Sequence, residues 1–147
     1  MDRILVVLQG NTHSQTLLET ARKHASGIDC EILVCRFVDE EDHEGELRKA
    51  GRSGKQSTKV SDIEATATSE AKDVARDVFG DSVSWTAKGV LGDVPQSILD
   101  VAADENCSHI FISGKKRSPT GKVLFGDIAQ KVLLNFPGPV TITLTEQ

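Results

Sequence analysis

Ile4-Leu5-Val6-Val7-Leu8 is an unbroken run of apolar side chains. A β-strand sends successive side chains to opposite faces, so such a run needs cover on both faces. That is the condition of a strand inside a parallel sheet. The condition recurs at Glu31 to Val38, centred on Ile32-Leu33-Val34-Cys35, and at His109-Ile110-Phe111-Ile112. Between these runs the apolar residues change period. Leu17, Leu18, Ala21 and Ala25 share one helical face, as do Ile63, Ala67, Ala71, Val74 and Val78. Strands alternating with helices imply parallel pairing through right-handed crossovers, and therefore an α/β fold.

The boundaries follow from turn and cap chemistry. Gln9-Gly10-Asn11 reads as a turn, Thr12 with Gln15 as a capping box, and Gly27 and Gly80 as helix stops. Val83 to Val90 alternates Val83, Trp85 and Ala87 with polar residues, which predicts a half-buried strand near a sheet edge. Gly89 to Gly92 reads as a turn. Asp93 is then expected to cap a helix with Pro95 in its first turn, Gln96 completing the box, and Ile98, Leu99, Ala102 and Ala103 buried. Gly114 to Lys122 reads as a loop. Leu124, Ile128, Val132 and Leu133 mark a last helix, stopped by Pro137 and Pro139, and Val140, Ile142 and Leu144 a last strand. The acidic-then-basic stretch 39–60 reads as a mobile loop within a single domain spanning residues 1–147.

Aromatics are only 4% of the 147 residues, so the core must be Val, Ile, Leu and Ala, which suits helices on a parallel sheet. The formal net charge of -5 argues against nucleic acid and anionic membranes as partners. Cys30, Cys35 and Cys107 are odd in number and lack a C-x-x-C spacing, so neither a disulfide framework nor a zinc site is expected. Free thiols and the absence of a signal-peptide core place the protein in the cytoplasm. His13, His24, His43 and His109 lack a metal spacing, and His13 beside Ser14 lacks the G-x-S-x-G context of a hydrolase. No catalytic residue is expected, and the chain is read as a binding protein rather than an enzyme.

In an open parallel sheet, ligands bind at the carboxyl ends of the strands, where strand order reverses. The loop after the fourth strand is the most informative place. Gly114 and Gly121 flank Lys115, Lys116 and Arg117 with the hydroxyls of Ser118 and Thr120, Lys122 follows, and the chain then enters a helix. A phosphate site and a merely solvated basic loop both fit this composition. It is not a Walker A loop, because Gly114 stands too far before Gly121-Lys122 and Val123 occupies the Ser/Thr position.

Three segments together resemble the universal stress protein family. They are Gly89-Val90-Leu91-Gly92-Asp93-Val94-Pro95 followed by Ile98-Leu99 and Ala102; Ile110-Phe111-Ile112-Ser113-Gly114; and Val123 to Leu133 followed by Pro137 to Leu144. Ile4 to Val7 and Gly10 fit as well. The resemblance spans nearly the whole chain except 39–59. It implies a five-stranded, mostly parallel sheet in the order 3-2-1-4-5 with helices on both faces, a Rossmann-like, adenine nucleotide α-hydrolase-like fold. It also implies a homodimer formed through the C-terminal strand.

ATP-binding members carry a G-x-x-G, nine residues, then G-S/T pattern. Gly114 matches the first glycine and Gly126 the last. Arg117 stands near the second, with only eight residues between it and Gly126, and Asp127 replaces the hydroxyl residue. Gln9 replaces the Asp that follows the first strand in those members. A carboxylate at Asp127 would repel phosphate by on the order of 1 kcal/mol or more, while Arg117 could donate to it. The implied nucleotide site comprises Gln9, Gly10, Val38, Gly114, Arg117, Ser118, Gly121, Lys122, Gly126 and Asp127. Two functions stay open: a stress-response regulator that binds ATP or another adenine nucleotide, and a dimeric interaction module without nucleotide.

Overall fold

The computed structural model describes residues 2–9, 15–40, 60–116 and 126–146. Five strands and four helices alternate: β1 (Asp2–Gln9), α1 (Gln15–Ser26), β2 (Cys30–Asp39), α2 (Val60–Phe79), β3 (Ser84–Gly92), α3 (Gln96–Asp104), β4 (His109–Lys116), α4 (Asp127–Asn135) and β5 (Val140–Glu146). The sheet order is β3-β2-β1-β4-β5 and every pairing is parallel, as the family resemblance implies. Order reverses between β1 and β4.

Alternation along the central strands divides the core in two. Ile4, Val6 and Leu8, with Ile32, Val34 and Phe111, face Leu17, Leu18, Ala21 and Ala25 of α1 and Ala71, Ala75 and Phe79 of α2. Leu5 and Val7, with Leu33, Cys35, Phe37, Ile110 and Ile112, face Ile98, Val101 and Ala102 of α3 and Ala129 and Val132 of α4. Full burial of one such side chain contributes roughly 1.5–3 kcal/mol. The uninterrupted apolar runs thus feed two cores at once. Gly80 ends α2 with a φ of 50°, the left-handed conformation in which glycine meets no Cβ penalty.

Several boundaries differ from those expected. Gly89 to Gly92 is not a turn but the end of β3, pairing with Arg36 to Asp39 of β2. Gly89 has a packing role: a Cβ there would lie 2.5 Å from the Ala67 Cβ and from the Thr68 nitrogen of α2. β4 likewise continues through Gly114 to Lys116, which pair with Leu144 to Glu146, so these three residues belong to the strand and not to the expected loop. Asp39 belongs to β2, and α2 already starts at Val60.

Pro95, not Asp93, is the cap position of α3, with no side-chain cap bond; Asp93 instead accepts the Ser97 N–H through its backbone carbonyl at 2.8 Å. The buried face of α3 is Ser97, Ile98, Val101 and Ala102, leaving Leu99 half-buried and Ala103 exposed. On α4, Leu133 is 42% exposed, and Ala129 fills the core position beside Val132. The Thr12 cap, residues 41–59 of the expected mobile loop and Leu124 lie outside the described residues.

Candidate functional site at the carboxyl ends of the strands

The β1–β2 ladder runs over eight residue pairs, from Asp2↔Cys30 to Gln9↔Phe37. The β1–β4 ladder stops after Ile4↔His109, Leu5↔Ile110 and Val6↔Phe111. Val7 to Gln9 and Ile112 to Gly114 therefore part from one another at the carboxyl end of the sheet. This parting coincides with the reversal of strand order, where open α/β sheets present their ligand crevice.

Gln9, half-buried, ends β1 on one side of the parting. Buried Gly114 stands on the other, on β4 opposite Leu144. Val38 lies next to the end of β2, opposite Leu91 of β3. α4 runs antiparallel to the strands it connects, so its amino end also lies at this end of the sheet. Gly126 precedes it with φ 87° and ψ 153°, supplies no side-chain cap, and has open space where a Cβ would stand. The first-turn N–H groups of α4 thus have no side-chain acceptor at the cap, a favourable place for an anion. Asp127 is the first residue of the helix, exposed, and not its cap. The structure thus places Gln9, Val38, Gly114, Gly126 and Asp127 at one end of the sheet. Gly10, Arg117, Ser118, Gly121 and Lys122 lie outside the described residues.

Two polar side chains at this end escaped the sequence reading. Arg36 occupies an apolar-side position near the end of β2, level with Leu8, and its side chain is only 14% exposed. Its Nε donates to Glu70 Oε2 at 3.3 Å and its Nη1 to the Phe37 carbonyl. The signal was available: an arginine inside an otherwise apolar strand. Ser97, at the start of α3, is 8% exposed and its hydroxyl has no partner. It packs against Gly92, where nothing in the sequence distinguishes it from a cap serine.

A groove of about 860 Å³ lies elsewhere, between α3 and α4, lined by Gln96, Leu99, Asp100, Lys131 and Phe136 among others. It contains none of the expected site residues. Among the described residues no three His, Cys, Asp or Glu side chains converge to hold a metal. All three cysteines are free and buried. Burial pushes the Cys35 thiol up to about 12 and the Cys107 thiol to about 11, so both are protonated, unreactive core groups at neutral pH. No described helix is long and apolar enough to cross a membrane.

Comparison with known proteins accords with this fold. The universal stress protein family profile matches residues 1–143. A universal stress protein from Archaeoglobus fulgidus is similar at 23% identity, with 97% of each chain covered and a TM-score of 0.65. The same organism's universal stress protein in complex with dAMP matches at 19% identity, covering 97% of this chain and 96% of that one, with a TM-score of 0.60. A universal stress protein family protein from Arabidopsis thaliana with AMP bound matches at 10% identity, covering 98% and 92%, with a TM-score of 0.58. Comparison with curated proteins finds no match.

Proposed function

The chain belongs to the universal stress protein family, and we propose that it is a non-enzymatic, cytoplasmic regulator that binds an adenine nucleotide at the parting of β1 and β4. The observation that carries this reading is the short β1–β4 ladder, which would leave a crevice between Gln9 and Gly114 beside the amino end of α4. Adenine would lie against the ends of β1 and β2, near Gln9 and Val38. The phosphate would lie toward Gly114 and Gly126, where backbone N–H groups and the glycine conformation admit an anion. Relatives of the same fold hold dAMP and AMP. Gln9 can recognise a base through its amide without adding a negative charge. Asp127 adds one at the helix start, which favours a nucleotide carrying fewer phosphates over ATP.

The second reading, a homodimeric interaction module without nucleotide, rests on the same Asp127 and on the outer edge of β5. Calorimetric titration of AMP and ATP into the wild type, Asp127→Ser and Arg117→Ala separates the two. The expected result is binding by the wild type, strengthening in Asp127→Ser, and a loss of roughly 1–3 kcal/mol in Arg117→Ala. Binding only by Asp127→Ser would favour the interaction module. Tight wild-type binding unmoved by either change would place the phosphates elsewhere.

A further inference from the structure

Three aromatic rings meet at the opposite, amino end of the sheet. His109 of β4 stacks on Phe111 with ring centroids 4.4 Å apart and an interplanar angle of 20°. His24, in the last turn of α1, approaches His109 edge-on at 5.0 Å and 70°, and Phe111 at 5.5 Å. The His109 Nε2 is 2.8 Å from the Thr141 hydroxyl of β5. One imidazole pair therefore links three elements: α1 through His24, β4 through His109, and β5 through Thr141. Phe111 beneath them is 1% exposed and belongs to the core shared with Leu17, Leu18, Ala21 and Ala25 of α1.

We propose that His24 and His109 form a proton-sensitive latch, which holds the C-terminal turn of α1 on the β4–β5 face when the imidazoles are neutral and loosens it when they take up protons. Two protonated rings would set like charges about 5 Å apart against an apolar ring. The surroundings do little to offset them. Lys23 adds a further positive charge in the same turn of α1, and Arg22 is already paired with Glu19 at 3.1 Å. β5 presents the hydroxyls of Thr141 and Thr143. The carboxylates at this end include Asp2, two residues before Ile4, the β1 partner of His109; Asp29, whose carbonyl accepts the Asp2 N–H; and Glu31 and Glu105, both paired with Arg3. None of these makes an ion pair with the imidazoles.

Burial first, and the neighbouring His24 second, hold the His109 imidazole below its ordinary range. A histidine held low in the folded state stabilises above its unfolded value, and that contribution is lost as pH falls through the folded value. Acid therefore weakens the latch and base restores it.

The test is nuclear magnetic resonance of the full chain between about pH 8 and pH 5, the window in which imidazoles titrate. Protection factors, which divide out the intrinsic pH dependence of exchange, are followed for the amides of Ala21 to Ser26. In the wild type they should fall several-fold on acidification, and the His109 ring should titrate below the ordinary imidazole range. In His24→Gln, a change on the exposed helix surface, the His109 titration should move up and the acid-induced loss of protection should shrink. His109→Gln keeps a partner for Thr141 and should abolish the loss. If that variant does not fold, His24→Gln still decides. Protection that is flat with pH, or a His109 titration indifferent to His24→Gln, overturns the proposal.

Discussion

The two edges of the sheet are finished differently. At the β3 edge, α2 lies along the carboxyl half of the strand and supplies acceptors to two of its outward backbone donors. The Gly89 N–H donates to the Thr68 hydroxyl and the Leu91 N–H to Glu64 Oε2, both at 2.9 Å. Gly89 makes this possible, because any Cβ there would enter the helix. At the β5 edge, the pairing is with β4 on the inner side, and none of the described residues pairs with the outer side. Exposed apolar groups stand near it: Leu144 on β5 at 42%, and Leu133 and Leu134 on α4 at 42% and 72%. An edge covered by a helix that occupies some of its donors is a poorer template for another strand than a bare one. The contrast favours β5 as the surface through which this chain would pair with its symmetry mate.

The largest expected effect breaks the sealed edge. Gly89→Ala should destabilise the fold by about 3 kcal/mol, the upper end of overpacking costs, because its neighbours are backbone and a short side chain that cannot swing away. Urea unfolding midpoints measure it, and a change below about 0.5 kcal/mol would mean that α2 does not press on β3. Glu64→Ala removes a charged acceptor and should cost roughly 1–2 kcal/mol, with faster hydrogen exchange at the Leu91 amide. Thr68→Val deletes the acceptor of the Gly89 N–H with little change of shape. It should cost about 1 kcal/mol, read by the same unfolding series.

The smallest effect on stability falls on the other edge. Leu144→Lys should leave the unfolding midpoint within about 0.5 kcal/mol, because the side chain is already 42% exposed. It should nevertheless shift the sedimentation of the protein toward the monomer, since charge on an edge strand opposes edge pairing. A wild type that sediments as a monomer, or a Leu144→Lys variant that keeps its dimer, would remove the functional side of the contrast.

The chain itself determined its layers. Runs such as Ile4 to Leu8 can be satisfied only by cover on both faces, and the period of Ile63, Ala67, Ala71, Val74 and Val78 points to a helix to supply it. Family resemblance added the strand order and the candidate site residues, of which Gln9, Val38, Gly114, Gly126 and Asp127 lie at one end of the sheet. Tertiary structure decided what local chemistry cannot encode. Gly89 and Gly92 look like turn residues, because a glycine needed for close helix approach is indistinguishable in sequence from one needed for a turn. Arg36 sits in an apolar strand, where its place depends on Glu70, thirty-four residues away on α2. The parting of β1 from β4, and the meeting of His24 with His109, join residues far apart in the chain. Periodicity reports which way a side chain faces, whereas the partner it meets there is set by how the layers close.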